Sequence, residues 1–305
     1  MGGRCGAVAK LLCLVCARVV VRLDRCTYGG VQSEDPSARI ACLRGPDRLF
    51  HPGAAMTTHA QTDVIKSTEI PATPGVWIAL AVIGLWLGSL TVLLTIPVSQ
   101  MPLWVVPVGT LWQTFLYTGL FITAHDAMHG AVHRRNRRVN DLFGWTAVIL
   151  YALFDYRKMM SKHWEHHKHP GTQGDPDFHD GSRTGFFAWY VSFLRSYISI
   201  PQIIGMAVVF NILHHFAGVT VPNLLFFWAG PAILSTFQLF YFGTFLPHRD
   251  IEGGHDNPHH STSNDYSPFW SFVSCYHFGY HLEHHEYPYV PWWLLPTVRA
   301  ARKEV

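Results

Sequence analysis

The sequence predicts an all-α integral membrane protein, with about four transmembrane helices and a histidine-rich cap on their cytoplasmic side. Three observations carry that expectation. Hydrophobic residues make up 49% of the 305 residues and charged residues only 14%, whereas soluble domains average about 25% charged. Uncharged apolar runs of membrane-spanning length recur along the chain. Histidine is in excess, with 20 residues against 23 Lys plus Arg. A formal net charge of +3 provides no basic field for DNA or RNA, so a nucleic-acid partner is excluded.

Residues 1–55 differ in composition from the rest. They hold eight Lys/Arg and four Asp/Glu, against 15 and 16 in residues 56–305. They also hold five of the six cysteines: Cys5, Cys13, Cys16, Cys26 and Cys42. The run Leu11–Ala17 resembles the apolar centre of a secretory signal. Arg18 and Arg22 follow it, where a small-residue cleavage site would belong. An Arg-rich, acid-poor leader of the transit-peptide kind is one reading. The reading we favour takes Met56 as the start and 1–55 as an upstream extension. Cys13-x-x-Cys16 has no second pair, and no disulfide is expected. Residues 56–75 then form a polar N-terminus and 76–300 the membrane unit.

The first two spans are Val76–Val98 and Leu103–Ala124, joined by the short uncharged link Ser99–Pro102. At 1.5 Å per residue each can cross a hydrocarbon core of about 30 Å. Pro201–Ala217 is a third, at the short end of the range, and Pro222–Leu246 a fourth, with Pro231 inside it. Leu142–Phe154 is too short to span easily and is expected to be re-entrant or interfacial. Gly185–Ile200, with Trp189, Tyr190 and Arg195, is expected along the interface.

Lys and Arg set the orientation. Arg134, Arg135, Arg137, Arg138, Arg157, Lys158, Lys162 and Lys168 follow the second span, Arg249 follows the fourth, and Arg299, Arg302 and Lys303 lie near the end. The other two connectors carry none. This is a positive-inside pattern with both termini cytoplasmic. The clustered histidines fall on that same side, although they played no part in setting the topology.

Those histidines form three boxes. The first is His125-Asp126-Ala127-Met128-His129, whose spacing of four puts both imidazoles on one helix face. The second is His163-Trp164-Glu165-His166-His167 and the third His281-Leu282-Glu283-His284-His285. In both, the first histidine stands three and four residues from the others, so all three can face one point. His248, just past the fourth span, is a candidate ninth ligand. Eight or nine imidazoles exceed what one ion takes, so a two-metal site is expected. Iron is expected over zinc, because a membrane-surface site beside an apolar bundle suits oxygen chemistry on a lipid-soluble substrate and zinc has no redox chemistry. Asp126, Glu165 and Glu283 are candidates to orient imidazole N–H groups. His277 is a candidate ligand or ligand partner, and His133, His169 and His179 are read as ligand partners or surface residues. His51, His59, His214, His215, His255, His259 and His260 are read as plain polar residues.

These boxes resemble those of the membrane fatty-acid desaturase and hydroxylase superfamily. A finer resemblance is to the carotenoid β-ring 4-ketolases. It rests on His125-Asp126-Ala127-Met128-His129-Gly130, on His163-Trp164-Glu165-His166-His167-Lys168-His169-Pro170-Gly171-Thr172, and on Asp175-Pro176-Asp177-Phe178-His179. Phe245-Leu246-Pro247-His248-Arg249 and Cys275-Tyr276-His277-Phe278-Gly279-Tyr280 leading into the third box complete it. The resemblance covers about residues 70–300 and implies that the membrane unit is a desaturase-like catalytic domain.

It implies a di-iron oxygenase that oxidises C4 of a β-ionone ring. Two hydroxylations at one carbon would give a geminal diol, which loses water to leave a ketone. Each would use dioxygen and two electrons from a ferredoxin-type donor. The substrate would be β-carotene or zeaxanthin, reached through the bilayer, and the products echinenone, canthaxanthin or astaxanthin. Trp112, Phe115, Tyr117, Phe121, Trp189, Phe237 and Tyr241 are candidates to line the substrate path, against ordinary bundle packing. A β-ring 3-hydroxylase and an acyl-lipid desaturase share the same metal chemistry. A zinc-binding membrane protein without redox chemistry is the alternative from another class.

Overall fold

A computed structural model describes residues 70–303. The expectations about the leader 1–55, the start at Met56 and the N-terminal cysteines lie outside the described residues. Every regular element among the described residues is helical.

Helix α1 (Pro74–Thr95) begins with a proline where an N–H would have no partner anyway. Ala79, Val82, Trp86, Leu90 and Leu94 recur every three or four residues and bury one face. The other face stays apolar and exposed, through Trp77, Leu85 and Val92, as a lipid-facing surface requires. The last carbonyls of α1 need partners that hydrocarbon cannot supply. Asn223 provides them: Nδ2 donates to the Leu93 and Ile96 carbonyls at 2.7 Å each, and Oδ1 accepts from the Val98 N–H at 3.1 Å.

Helix α2 (Val105–Met128) is the central helix, buried over most of its circumference from Gln113 onward. It carries the first box at its C-terminal end. Helix α3 (Arg137–Ala152) is capped by Asn136, whose side chain accepts from Arg138 and Val139 N–H. It packs Ala147 and Val148 against Ala124, Ala127 and Met128 of α2. All but the last two residues of the apolar stretch Leu142–Phe154 therefore lie in a helix packed on α2. Helix α4 (Tyr156–Lys168), capped by Asp155, carries the second box.

The third apolar run is helix α6 (Ile200–His215), which meets α5 (Phe186–Tyr197) at an 87° bend. Sixteen residues extend about 24 Å, short of a core of about 30 Å. Three helices among the described residues are long and apolar enough to cross a membrane, and the bent pair taken as one span is a fourth candidate. Trp189 and Tyr190 of α5 are buried in the protein, and Trp189 Nε1 donates to the Asp177 carbonyl at 2.8 Å.

Helix α7 (Val221–His248) is continuous but contains two wide π turns, Leu225–Ala229 and Tyr241–Phe245. Each lies just before a proline, Pro231 and Pro247. A proline in a helix removes an N–H and pushes on the carbonyl one turn back. Widening that turn accommodates both effects, with Gly230 and Leu246 N–H bonding five residues back, to Leu225 and Tyr241. Polar groups bind α7 to its neighbours. Thr118 Oγ1 donates to Gln238 Oε1 at 2.6 Å, and the Tyr151 hydroxyl donates to the Ala232 carbonyl at 3.1 Å. Gln238 Nε2 donates to the Ser274 carbonyl at the end of α8 (Pro268–Cys275).

After α8, Tyr276 and His277 both take positive φ, 49° and 60°. Tyr276 N–H bonds the Phe272 carbonyl and His277 N–H the Ser271 carbonyl, which ends the helix sharply. The chain then enters α9 (His281–Glu286), the third box, and closes with α10 (Leu295–Lys303).

Candidate metal centre

Box 1 stands at the end of α2, box 2 in the last turns of α4, box 3 forms α9, and His248 ends α7. All nine candidate ligands meet, in two groups. His125, His129, His163, His167 and His284 form one, and His166, His248, His281 and His285 the other. Within each group the ligand nitrogens all lie within 4.8 Å of one another. In the first, Nε2 of His129 and His163 are 2.7 Å apart, His163 and His167 3.1 Å, His167 and His284 3.0 Å, and His125 and His284 3.1 Å. In the second, the separations are 3.1 Å for His166 and His285, 3.0 Å for His281 and His285, and 3.0 Å for His248 and His281.

This differs from the expectation that each box faces one point. The pairs spaced by four stay together: His125 with His129, His163 with His167, and His281 with His285. The remaining histidine of box 2, His166, crosses to the second group, and that of box 3, His284, to the first. Residues three and four along a helix are about 100° apart around its axis. A helix lying between two centres therefore serves both.

The arrangement fits metal ions. Burial, reinforced by neighbouring imidazoles, holds His129, His163, His167, His281, His284 and His285 well below the usual histidine range. Neutral imidazole is the form that ligates metal. His248 Nδ1 donates to the His260 carbonyl at 2.8 Å, leaving a bare lone pair on Nε2. His166 Nδ1 does the same toward Asp175 Oδ2, also at 2.8 Å. Burial alone would lower the His166 pKa, but the Asp175 carboxylate raises it overall. Bare Nε2 lone pairs packed about 3 Å apart repel unless a proton or a cation lies between them, and each Nε2 carries either one hydrogen or one lone pair, so a nitrogen that makes two such contacts cannot satisfy both by itself. An all-imidazole donor set suits Fe, Zn or Cu.

The carboxylates that orient the rings are not those expected. Only Asp126 lies beside a cluster imidazole, 3.7 Å from His125 Nδ1, and it also accepts from Trp292 N–H at 3.3 Å. Glu165 is turned to solvent and pairs with Lys168 at 2.8 Å. Glu283 pairs with Arg299 at 2.8 Å. Asp175 takes the role instead, held by N–H groups of Gly171 (2.9 Å) and Asp177 (2.8 Å). Its sequence signal is the Asp175-Pro176-Asp177-Phe178-His179 segment shortly after box 2, one of the motifs that carry the family resemblance.

The other histidines stay out of both groups. His277 stacks on Tyr280, with ring centres 5.6 Å apart. His133 Nδ1 accepts from Arg135 N–H. His169 lies on the exposed side near Glu165, and His179 packs edge-on against Trp189. His260, read as plain polar, matters through its backbone carbonyl.

Phe278 was not singled out as a site residue, yet its ring lies 5.0 Å from His125, 5.4 Å from His281 and 6.2 Å from His284. Of the candidate path residues, Phe121 faces Phe278 (6.4 Å) and Phe115 stacks on Tyr276 (4.4 Å). Tyr117 and Trp189 are packed in the core. Phe237 stacks on Tyr190 at 4.1 Å. Trp112 and Tyr241 are partly exposed. Trp112 also borders an open apolar cleft of about 400 Å³ between α1 and α2, with Val92, Trp104 and Val108. That cleft lies toward the other end of α2 from His125.

The sequence is similar to those of known proteins. The sequence profile of the family described as Fatty acid desaturase matches residues 102–206 and 195–305. A zeaxanthin 4-ketolase of Chlamydomonas reinhardtii is 44% identical over 239 residues, 73% of this chain and 50% of that protein. A beta-carotene 4-ketolase 3 of Haematococcus lacustris is 47% identical over 191 residues, 61% of this chain and 59% of that protein. The chain thus spans half to three-fifths of the length of these two relatives. A beta-carotene ketolase of Paracoccus sp. (strain N81106 / MBIC 01143) is 37% identical over 250 residues, 80% of this chain and 98% of that protein. With the family profile matched across two-thirds of its length and a relative covered almost end to end, the chain belongs to the fatty acid desaturase family.

Proposed function

We propose that this protein is a carotenoid β-ring 4-ketolase, oxidising C4 of β-carotene or zeaxanthin to a ketone. The observation that carries the reading is the pair of imidazole clusters at one end of an apolar bundle, in a chain that aligns with 98% of a beta-carotene ketolase. Each hydroxylation at C4 consumes one dioxygen, two electrons and two protons and releases one water. The second gives a geminal diol, and its dehydration leaves the ketone. A ferredoxin-type protein is proposed as the electron source. We assign the catalytic unit to residues 76–300.

The nine histidines would hold two ions, taken to be iron because zinc has no redox chemistry. Bound there, iron supplies the activation of dioxygen that oxidation of a C–H bond requires. The chain's own part is positional. The His260 carbonyl and the Asp175 carboxylate each hold a proton on the Nδ1 of their imidazole, so that Nε2 is the donor. Phe278 sets an apolar wall over both clusters, where a hydrocarbon ring can rest and water is disfavoured. C4 is allylic, so its hydrogen is removed more easily than one from an isolated methylene.

The cytoplasmic or stromal side is proposed for the clusters. The connectors flanking the boxes carry the Lys and Arg, whereas Ser99–Pro102 and Gly218–Val221 carry none. Cysteines placed at Ser182 and Ser99 should be labelled from opposite sides of sealed vesicles, and labelling from one side would overturn this topology.

Pigment analysis tests the activity. Cells that accumulate β-carotene and express the full chain are expected to make echinenone and canthaxanthin. Zeaxanthin as the product would make the protein a ring hydroxylase. Unchanged β-carotene, with membrane-inserted and iron-loaded protein, would turn the assignment to an acyl-lipid substrate. A chain started at Met56 should give the same products, and loss of activity would make residues 1–55 functional.

A further inference from the structure

The third box holds a fully buried acid between its histidines, Glu283. It stands two residues from both His281 and His285, about 200° around the helix and so on the side away from their cluster. Its partners come from the end of the chain. Arg299 of α10 donates from Nη1 to Glu283 Oε1 at 2.8 Å, and from Nη2 to the Asn264 carbonyl at 3.0 Å and Asp265 Oδ1 at 2.8 Å. Its guanidinium lies 5.4 Å from the centre of the Tyr280 ring. Ser263 Oγ donates to the other Glu283 oxygen and accepts from Leu282 N–H at 3.0 Å. Arg302 pairs with Glu286 at 3.2 Å and stands farther from Glu283 Oε1, at 3.7 Å.

Helix α9 has six residues, too few to be stable by itself. It nevertheless supplies His281 and His285 to one cluster and His284 to the other. We propose that α10 is a strap that fixes the third box, with Arg299 as a positioning residue acting through Glu283. The arginine neutralises the buried carboxylate and ties α9 to the 263–265 segment with a planar, two-pronged grip that lysine cannot reproduce. Without it, the buried carboxylate keeps only the Ser263 hydroxyl and the more distant Arg302, at 3.7 Å, and α9 turns to bring that under-compensated charge toward water. That rotation would carry the three imidazoles out of both clusters. The second cluster is the more sensitive, because it draws two of its four ligands from α9 and the first draws one of five.

This proposal rests on the two-metal reading above. The test is ferrous iron binding, under anaerobic conditions, by full-length protein in detergent, measured on monodisperse fractions. Wild-type protein is expected to hold two ions per chain, and Arg299→Leu at most one. Arg299→Leu/Glu283→Gln should regain part of the loss, because the uncompensated charge is gone. Arg299→Lys keeps the charge but loses the fork, and should hold both ions with affinity lowered about tenfold. Two ions at wild-type affinity in Arg299→Leu would overturn the strap alone, as would a double variant no better than the single. If Arg299→Leu is not recovered in monodisperse form, unchanged affinity in Arg299→Lys overturns it. Wild-type protein that binds fewer than two ions would overturn the two-metal reading and the strap with it.

Discussion

His166 and His167 are consecutive residues of α4 that face different clusters. His167 Nε2 lies 3.0 Å from that of His284, and His166 Nε2 lies 3.1 Å from that of His285. The two rings point about 100° apart around the helix axis, so one helix partitions its histidines between two groups that lie side by side, with the His167 and His285 rings 4.4 Å apart. Replacing either one is expected to disturb one cluster and spare the other. His166→Ala and His167→Ala should each lower bound iron toward one ion per chain, and the double variant should remove both. His166→Ala and His284→Ala should each abolish ketone formation while the protein still inserts in the membrane. Metal analysis and pigment chromatography on the same preparations check this. Wild-type iron content in a single variant would contradict the partition.

Asp175 is predicted to tune the second cluster through His166. Asp175→Ala removes the acceptor at His166 Nδ1 and two partners of loop N–H groups. Loss of such a partner typically lowers metal affinity about 10–100-fold. Asp175→Asn keeps one carbonyl oxygen and should fall between Ala and wild type. Iron titration of the three proteins decides it, and equal affinities would show that His166 is oriented by packing alone.

Gly243 in the second π turn is predicted to be intolerant of any side chain. A Cβ there would stand 2.1 Å from Phe278 Cε1, so the ring must move, and that ring also lies against His125 and His281. Overpacking of this kind costs about 1–3 kcal/mol. Gly243→Ala should cut ketone formation strongly, and Phe278→Leu in the same chain should recover part of it by freeing the space. A double variant as poor as the single would show that Gly243 matters for the π turn rather than for Phe278.

Asn223 is predicted to be a stability residue without a catalytic effect. Asn223→Leu leaves the Leu93 and Ile96 carbonyls and the Val98 N–H without their partners in an apolar setting. Each orphaned group costs about 1–3 kcal/mol. Thermal unfolding in detergent should show a clear loss of stability, with iron content per folded chain unchanged. A melting point equal to wild type would mean that water or lipid headgroups reach the end of α1.

The sequence by itself determined the helices and the candidate ligand residues, because both are local properties. An apolar run without charge has few options other than a span, and Val76–Val98 emerged as α1 shifted by two or three residues. A spacing of four places two imidazoles on one helix face whatever surrounds the helix, and all three such pairs stayed together. Tertiary structure decided the rest. Which cluster receives His166 or His284 depends on where α4 and α9 lie relative to each other, across 117 positions of chain between His167 and His284. Whether Glu283 or Asp175 meets an imidazole depends on loops and on α10. The short third run became one arm of a bent pair rather than a long helix like the others. Box spacing carries angles around a single axis, and the angles between axes come only from packing.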